Sequence, residues 1–107
     1  MQFVAFDVSL ELIRVLKLPV AKIHEHSKRL ADQLDAASES VALNLREGRR
    51  RVGRDRKHLF RIADGSAGEV MAGLRVAEAR DYVDGDMLAA AVATCDRLLR
   101  LTWGLTR

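Results

Sequence analysis

The feature that most constrains this chain is a helical repeat of apolar residues along almost its whole length. Apolar or small residues recur at alternating spacings of three and four in four segments, and one proline and seven scattered glycines leave these segments largely unbroken. Such spacing places apolar side chains on one face of an α-helix. Four amphipathic helices with short links predict an all-α protein, an antiparallel up-down four-helix bundle.

Local signals set the boundaries of the predicted helices. Pro19 cannot donate a backbone hydrogen bond, so the first helix is expected to end at about Lys17, and the linker that follows holds His24 and His26. The first helix is predicted to use Phe6, Leu10, Ile13 and Leu16 as its face.

The other three helices start at residues that commonly cap helices. Ser27 is a plausible N-cap for a second helix over about residues 28–50. Asp55 is the predicted cap of a third helix that reaches about Asp81, and Asp84 caps a fourth over about residues 86–103. A second apolar row on the third helix, Phe60, Ala67 and Met71, indicates a second packing neighbour, which in a small bundle can be another subunit.

Size and composition fit one soluble globular domain covering residues 1–107. Hydrophobic residues make up 49% of the chain and charged residues 31%, a globular rather than a disordered balance. Cys95 is the single cysteine, which excludes an intrachain disulfide and a cysteine-based zinc site. The first apolar stretch has no basic leader and is interrupted by Asp7 and Glu11, so we expect neither a signal peptide nor a membrane span, and a cytoplasmic protein.

Positive charge is concentrated in one short stretch, NLREGRRRVGRDRKHLFR (residues 44–61). The chain has 18 basic and 15 acidic residues; eight of the bases and two of the acids lie in residues 46–61, which leaves ten bases and thirteen acids elsewhere. The mild net charge of +3 therefore conceals a strongly basic segment at the predicted turn between the second and third helices.

Two stretches resemble a known bacterial family. ADQLDAASESVALNLREG (residues 31–48) resembles a segment with Gln-Leu, then small residues with Ser, then Asn-Ile-Ala-Glu-Gly. FRIADGSAGEV (residues 60–70) resembles an Ile-Ala-x-Gly-Ser-x-x-Glu segment, and AEARDYVDGDML follows where an Ala-rich helix ends in a Gly-Tyr-type turn. The family is that of the four-helix-bundle proteins encoded in 23S rRNA intervening sequences, which includes the accessory variability proteins of diversity-generating retroelements.

The resemblance implies more than a bundle. It implies a homopentameric ring and, in the retroelement branch, binding to a reverse transcriptase and to nucleic acid. The chain departs from the family pattern at Arg46, where a small residue is usual, and at residues 56–60, where aromatics are often found. Both departures add positive charge without breaking the helical pattern.

The basic cluster is the leading candidate for a binding site. Arg54, Lys57 and Arg61 share a helix face, and we expect them to meet the arginines at the end of the second helix at one end of the bundle. Such a patch attracts phosphates without base specificity. The candidate nucleic-acid-binding residues are Arg46, Arg49, Arg50, Arg51, Arg54, Lys57 and Arg61.

Two alternatives stay open for this cluster: a solvated helix end favoured by the helix dipole, or pairing with acids on a neighbouring subunit. If the cluster binds phosphates, the chain is a non-enzymatic, oligomeric nucleic-acid-binding or reverse-transcriptase-accessory protein. If the arginines pair with acids instead, it is an oligomeric scaffold that does not bind nucleic acid.

Other polar residues favour structural roles. Asn44 lies beside the apolar stripe and is suited to fixing helix register, and Glu47 is expected to pair with an arginine. The run Gly65 to Glu69 has phosphate-loop composition without the strand and lysine of such a loop, so helix packing is favoured, with Ser66 bonding a carbonyl one turn earlier.

No catalytic set, metal site or cofactor is predicted. Asp55 and His58 offer a single carboxylate–histidine pair among arginines, and His24 and His26 lack a third ligand. Trp103 is interpreted as a packing anchor.

Overall fold

The computed structural model describes residues 2–107 and shows four α-helices, with no strand among these residues. The prediction of an all-α four-helix bundle is confirmed. Each helix packs against its neighbours in the chain, and α4 closes the bundle against α1. The bounds are α1 Val4–His24, α2 Lys28–Arg49, α3 Gly53–Ala79 and α4 Gly85–Leu105.

Contacts between helices establish an antiparallel arrangement. Gly48 near the end of α2 lies against Phe60 near the start of α3, whereas Ser40 in the middle of α2 bonds Ser66 further along α3. Similarly, α4 contacts α3 through Cys95 to Ala67 and, further along α4, through Thr102 to Asp64. The start of α1, the end of α2, the start of α3 and the end of α4 therefore share one end of a bundle 42 Å long.

A single apolar core runs along the bundle axis. All four helices supply leucines that are almost completely hidden from solvent, including Leu12, Leu34, Leu74 and Leu98. Burying one such side chain stabilises a fold by about 1.5–3 kcal/mol. The helical repeat seen in the sequence is therefore the pattern of core contacts.

The prediction that α1 ends before Pro19 is wrong. The helix continues to His24, so this histidine lies in its last turn and not in a linker, and Pro19, Val20 and Ile23 are buried. A proline inside a helix costs about 3 kcal/mol. Burial of Val20 and Ile23 contributes about 1.5–3 kcal/mol for each side chain, which outweighs that cost.

The apolar face of α1 also differs from the predicted one. Its buried side is centred on Val8, Leu12 and Leu16, and it includes Ser9, whose hydroxyl donates to the Phe6 carbonyl oxygen at 2.6 Å. Of the predicted face, Leu16 is buried, whereas Phe6, Leu10 and Ile13 are half-buried. Because α1 packs between α2 and α4, both flanks of a wide apolar arc are partly covered, and the sequence does not reveal which part is central.

Two of the three predicted helix caps are confirmed. The Ser27 hydroxyl accepts a hydrogen bond from the Leu30 N–H at 3.2 Å, and the Asp84 carboxylate accepts one from the Met87 N–H at 2.8 Å. Asp55 is not a cap, because α3 begins two residues earlier at Gly53 and Val52 occupies the cap position without a side-chain bond. Gly53 makes this early start possible, since its φ of +59° is readily adopted only by glycine.

The chain leaves α3 through a tight C-terminal motif. The Tyr82 N–H donates to the Ala77 carbonyl at 3.0 Å and the Asp81 N–H donates to the Glu78 carbonyl at 3.0 Å, the bond pair of a Schellman motif. Asp81 has a φ of +59°, where the resemblance expects a glycine. An aspartate tolerates this conformation better than most residues do, so the turn is kept.

The second apolar row of α3 is largely satisfied within the chain. Phe60 and Ala67 are buried in the bundle, and Met71 is half-buried against α4. This row therefore packs between α2 and α4, and it does not by itself indicate another subunit.

Gly48 sets the distance between α2 and α3 at the end that holds the basic segment. A Cβ atom at this position would lie 2.7 Å from Cε1 of Phe60 and 3.3 Å from Cβ of Leu59. The Phe60 ring is buried and packs on Phe3, with ring centroids 6.0 Å apart. The ring has little room to move, so the helices can approach this closely only because residue 48 has no side chain.

We predict that Gly48→Ala destabilises the protein by about 1–2 kcal/mol, because overpacking outweighs the better helix propensity of alanine. Urea unfolding followed by far-ultraviolet circular dichroism measures the free energy of unfolding. The matched control is Gly68→Ala, whose added Cβ meets no atom within 4 Å; it should stabilise by up to about 1 kcal/mol. Equal effects of the two changes would contradict the close contact.

Candidate nucleic-acid interface

All seven predicted binding residues lie at the end of the bundle where α2 ends and α3 begins. Arg46 and Arg49 belong to the last turn of α2, Arg50 and Arg51 to the connection, and the other three to the first part of α3. The predicted meeting of the two sets at one end is confirmed by the antiparallel packing. We call this end of the molecule the basic end.

Two of the seven predicted residues, both arginines, have partners on the protein itself. Arg51 donates to the Glu47 carboxylate at 2.9 Å and lies 3.9 Å from Asp55. The Arg49 guanidinium lies over the Phe3 ring, 5.0 Å from its centroid, a favourable cation–π arrangement. The prediction that Glu47 pairs with an arginine is therefore confirmed, although the pair lies along the chain and not across the turn.

Arg56, which is outside the predicted site, closes the end of α2. Its guanidinium donates to the Gly48 carbonyl oxygen at 3.3 Å and to the Arg49 carbonyl oxygen at 2.9 Å. The last carbonyls of a helix have no partner within the helix and carry its partial negative charge. A base shortly after a helix C-terminus is a known signal for such a cap, and it was present in the sequence.

The other five bases are exposed and unpaired. They form no hydrogen bond, ion pair or ring contact with any of residues 2–107: Arg46, Arg50, Arg54, Lys57 and Arg61.

These five bases surround the basic end on more than one side. Arg46 borders a groove between α1 and α2 that also includes Gln2 and Asp7. Arg54, Lys57 and Arg61 follow one stripe of α3, three and four residues apart. The basic end therefore presents positive charge on several sides, which suits contacts along a phosphate backbone more than a single deep pocket.

A polar chain joins α2 and α3 beyond the basic end. The Ser40 and Ser66 hydroxyl oxygens lie 2.9 Å apart, and the Asn44 amide donates to the Ser40 carbonyl at 2.9 Å and to its hydroxyl at 3.2 Å. The sequence predicted that Ser66 bonds the carbonyl one turn earlier, but its hydroxyl instead bonds across the helix pair to Ser40. These groups satisfy one another, which supports a structural role.

Comparisons with known proteins agree with this architecture. A family model described as 23S rRNA-intervening sequence protein matches residues 4–104. The chain belongs to this family.

The fold of this 23S rRNA-intervening sequence protein is also seen in a solved structure. It is similar to the 1.70 Å crystal structure of a protein of unknown function from the S23 ribosomal protein family of Bacteroides thetaiotaomicron, with a TM-score of 0.84 and 20% sequence identity. The alignment covers 96% of this chain and 98% of that one. At this identity the likeness supports the fold alone. No curated protein matches the sequence.

The remaining candidates for chemistry do not assemble into a site. Within residues 2–107 no three His, Cys, Asp or Glu side chains lie close enough to hold a metal ion. No helix in this part of the chain is long and apolar enough to cross a membrane.

Trp103 differs from its predicted role as a packing anchor. Its side chain is 55% exposed, and the Arg107 guanidinium lies 3.8 Å from its ring centroid. Trp103 lies in the last turn of α4, and α4 ends at the basic end of the molecule. Trp103 directly follows the buried Thr102, so helical spacing turns it away from the buried side of α4, a signal that was present in the sequence.

Cys95 is a buried thiol without the features of a nucleophile. Its Sγ donates to the Ala67 carbonyl at 3.4 Å. Burial away from water, with the nearby Asp96 charge, raises the pKa of the Cys95 thiol from 9.0 to about 11. A thiol that stays protonated is a poor nucleophile, which confirms its interpretation as a small buried helix residue.

We predict that this thiol makes stability depend on alkaline pH. In the unfolded chain the thiol ionises near its ordinary pKa, so unfolding releases a proton between about pH 9 and about pH 11. Stability should therefore fall as the pH rises through this range. The loss should be smaller in Cys95→Ala, whatever that change costs at neutral pH, as measured by urea unfolding across the range. Parallel pH profiles would contradict the raised pKa.

Proposed function

We propose that this protein is a non-enzymatic nucleic-acid-binding protein that holds a phosphate backbone at its basic end. The observation that carries this proposal is that five bases, from Arg46 to Arg61, are exposed and have no partner within the described chain. Bases already neutralised by carboxylates would have removed the basis of this proposal. Within the predicted set, Arg51 pairs with carboxylates of the described chain.

The helix ends reinforce this charge. The N-terminus of α3 carries a partial positive charge that favours anions. The C-terminus of α2, which would repel phosphate, is covered by the Arg56 guanidinium. Both helix ends are thus compatible with a bound anion. Contacts between basic side chains and phosphates release counterions, so their strength depends strongly on the salt concentration.

We further propose that the chain assembles with copies of itself through the outer face of α2 and α3. Leu43 on α2 and Ile62 and Val76 on α3 are 69%, 38% and 48% exposed. Their helix stripes flank a groove that contains Ala72, an exposed small residue that permits close approach. The resemblance implies five subunits in a ring.

Assembly would strengthen the first proposal. Each subunit would contribute one basic end, and several weak contacts along one nucleic-acid strand add through their effective concentration. A reverse transcriptase, the partner implied for one branch of the family, stays a prediction. A scaffold whose arginines meet acids of another protein is the alternative function, and it predicts no binding to nucleic acid.

We predict that Arg54→Glu/Lys57→Glu weakens nucleic-acid binding at least about tenfold, because it reverses two phosphate contacts. Fluorescence anisotropy of labelled RNA and DNA measures binding. For the unchanged protein, the affinity should fall at least about tenfold between about 50 mM and about 200 mM salt. Glutamates near the N-terminus of α3 suit the helix dipole, so folding should be preserved.

Lys17→Glu/Arg80→Glu is the matched control, with the same change in charge. Both residues are exposed and unpaired among residues 2–107, and both lie nearer the other end of the bundle. Equal loss of binding in both double variants would show that net charge alone is responsible. Absence of binding at about 50 mM salt would favour the scaffold.

We predict that Leu43→Asp weakens self-association about tenfold or more, since burial of one leucine contributes about 1.5–3 kcal/mol. Light scattering coupled to size-exclusion chromatography gives the mass of the assembly. Leu18→Asp is the control, because Leu18 is 77% exposed on α1, away from the proposed face. A monomeric wild-type protein, or an unchanged assembly in Leu43→Asp, would refute this interface.

A further inference from the structure

We propose that Trp103 is a base-stacking residue and that the nucleic acid bound at the basic end is single-stranded. This inference rests on the proposed function, and it adds a class of ligand and a contact. The structure places an exposed aromatic ring at the end of the bundle where five bases have no partner among residues 2–107.

The antiparallel packing brings the segment that holds Trp103 level with Asp64 of α3. The hydroxyl of Thr102, the preceding residue, donates to the Asp64 carboxylate at 2.7 Å. Arg61 lies three residues before Asp64, almost one helical turn. The end of α4 is thereby held level with the last base of the Arg54, Lys57 and Arg61 stripe.

Helical periodicity puts Trp103 on the side of α4 that borders this stripe. Further along the bundle, Asp96 of α4 and Met71 of α3 line the same surface groove. On α4, Trp103 lies seven residues after Asp96. On α3, Asp64 lies seven residues before Met71. Seven residues are about two helical turns, so the two residues of each pair lie on the same face of their helix. The groove between α3 and α4 therefore leads towards Trp103 on one helix and Arg61 on the other.

The indole is presented to solvent in a form that can accept a base. Among the Phe, Tyr and Trp residues, Trp103 alone is exposed, and the others are buried or half-buried. Arg107 covers one face of the ring at 3.8 Å, which leaves the opposite face as the one on which a base could stack, and 55% of the residue is exposed. A base on that face would complete a guanidinium–indole–base stack, and Arg107 adds a further positive charge.

This arrangement distinguishes single strands from duplexes. In a duplex the faces of the bases are covered by their neighbours, whereas unpaired bases can stack on aromatic side chains. Basic grooves combined with such rings are typical of proteins that bind single strands with little sequence preference. Asp64 places a carboxylate in this region, but one of its oxygens already accepts the bond from Thr102.

Intrinsic fluorescence tests the stacking directly, because Trp103 is the only tryptophan. The probes are oligouridylate and oligothymidylate of about 15 nucleotides, and a DNA duplex of the same length. We expect both single strands to quench the Trp103 emission as they bind, and the duplex to quench it much less. Anisotropy of labelled oligonucleotide should show that Trp103→Ala binds single strands about tenfold more weakly and that Trp103→Phe is intermediate.

The control is Leu18→Ala, an exposed apolar side chain on α1, which should leave binding unchanged. If labelled single strands bind wild type and Trp103→Ala equally, without quenching, the stacking role is overturned while the proposed function stands. If no nucleic acid binds at low salt by anisotropy, both fail. If Trp103→Ala changes the mass of the assembly, Trp103 is a subunit contact and the stacking proposal is overturned.

Discussion

The close contact of α2 and α3 at Gly48 and Phe60 is the constraint on which the basic end depends. Because residue 48 has no side chain, the two helices approach until the Phe60 ring fills the space between them. Phe60 also contacts Phe3, which draws the start of α1 to the same place. The interior of this end is thus occupied by rings and main chain, and the basic side chains of the connection have no space except outside.

The bases at this end divide into two groups by what each one faces. Arg51 and Arg56 face carboxylates and carbonyls, and Arg49 lies over the Phe3 ring, so these residues hold the end together. The unpaired group is exposed and has no partner among residues 2–107. Net charge cannot separate the two groups, because an arginine that caps a helix and one that meets a phosphate contribute equally to it.

The parts of the fold that the sequence predicted correctly depend on short-range signals. The caps formed by Ser27 and Asp84 reach only three residues along the chain. The helical repeat of leucines can be recognised without knowing which helices it packs against. The extension of α1 through Pro19 depends on burial of Val20 and Ile23 by other helices, and no local rule contains that information.

The same distinction holds for the candidate site. That the bases of α2 and α3 meet follows from antiparallel connectivity, so it was predictable. Which arginines are neutralised depends on side-chain conformations, as in Arg56 reaching back to the carbonyls of residues 48 and 49. The position of Trp103 level with Arg61 depends on where α4 ends relative to α3, which helical periodicity does not determine.

The Gly48–Phe60 contact also limits how this end of the molecule can evolve. A larger residue at position 48 fits only where the ring at position 60 has been replaced by a smaller side chain, so the two positions are expected to covary among relatives. The positions of the five unpaired bases around it face solvent and carry no such restriction. Their charge can be tuned to a new ligand by single substitutions, while the helix crossing beneath them is inherited unchanged.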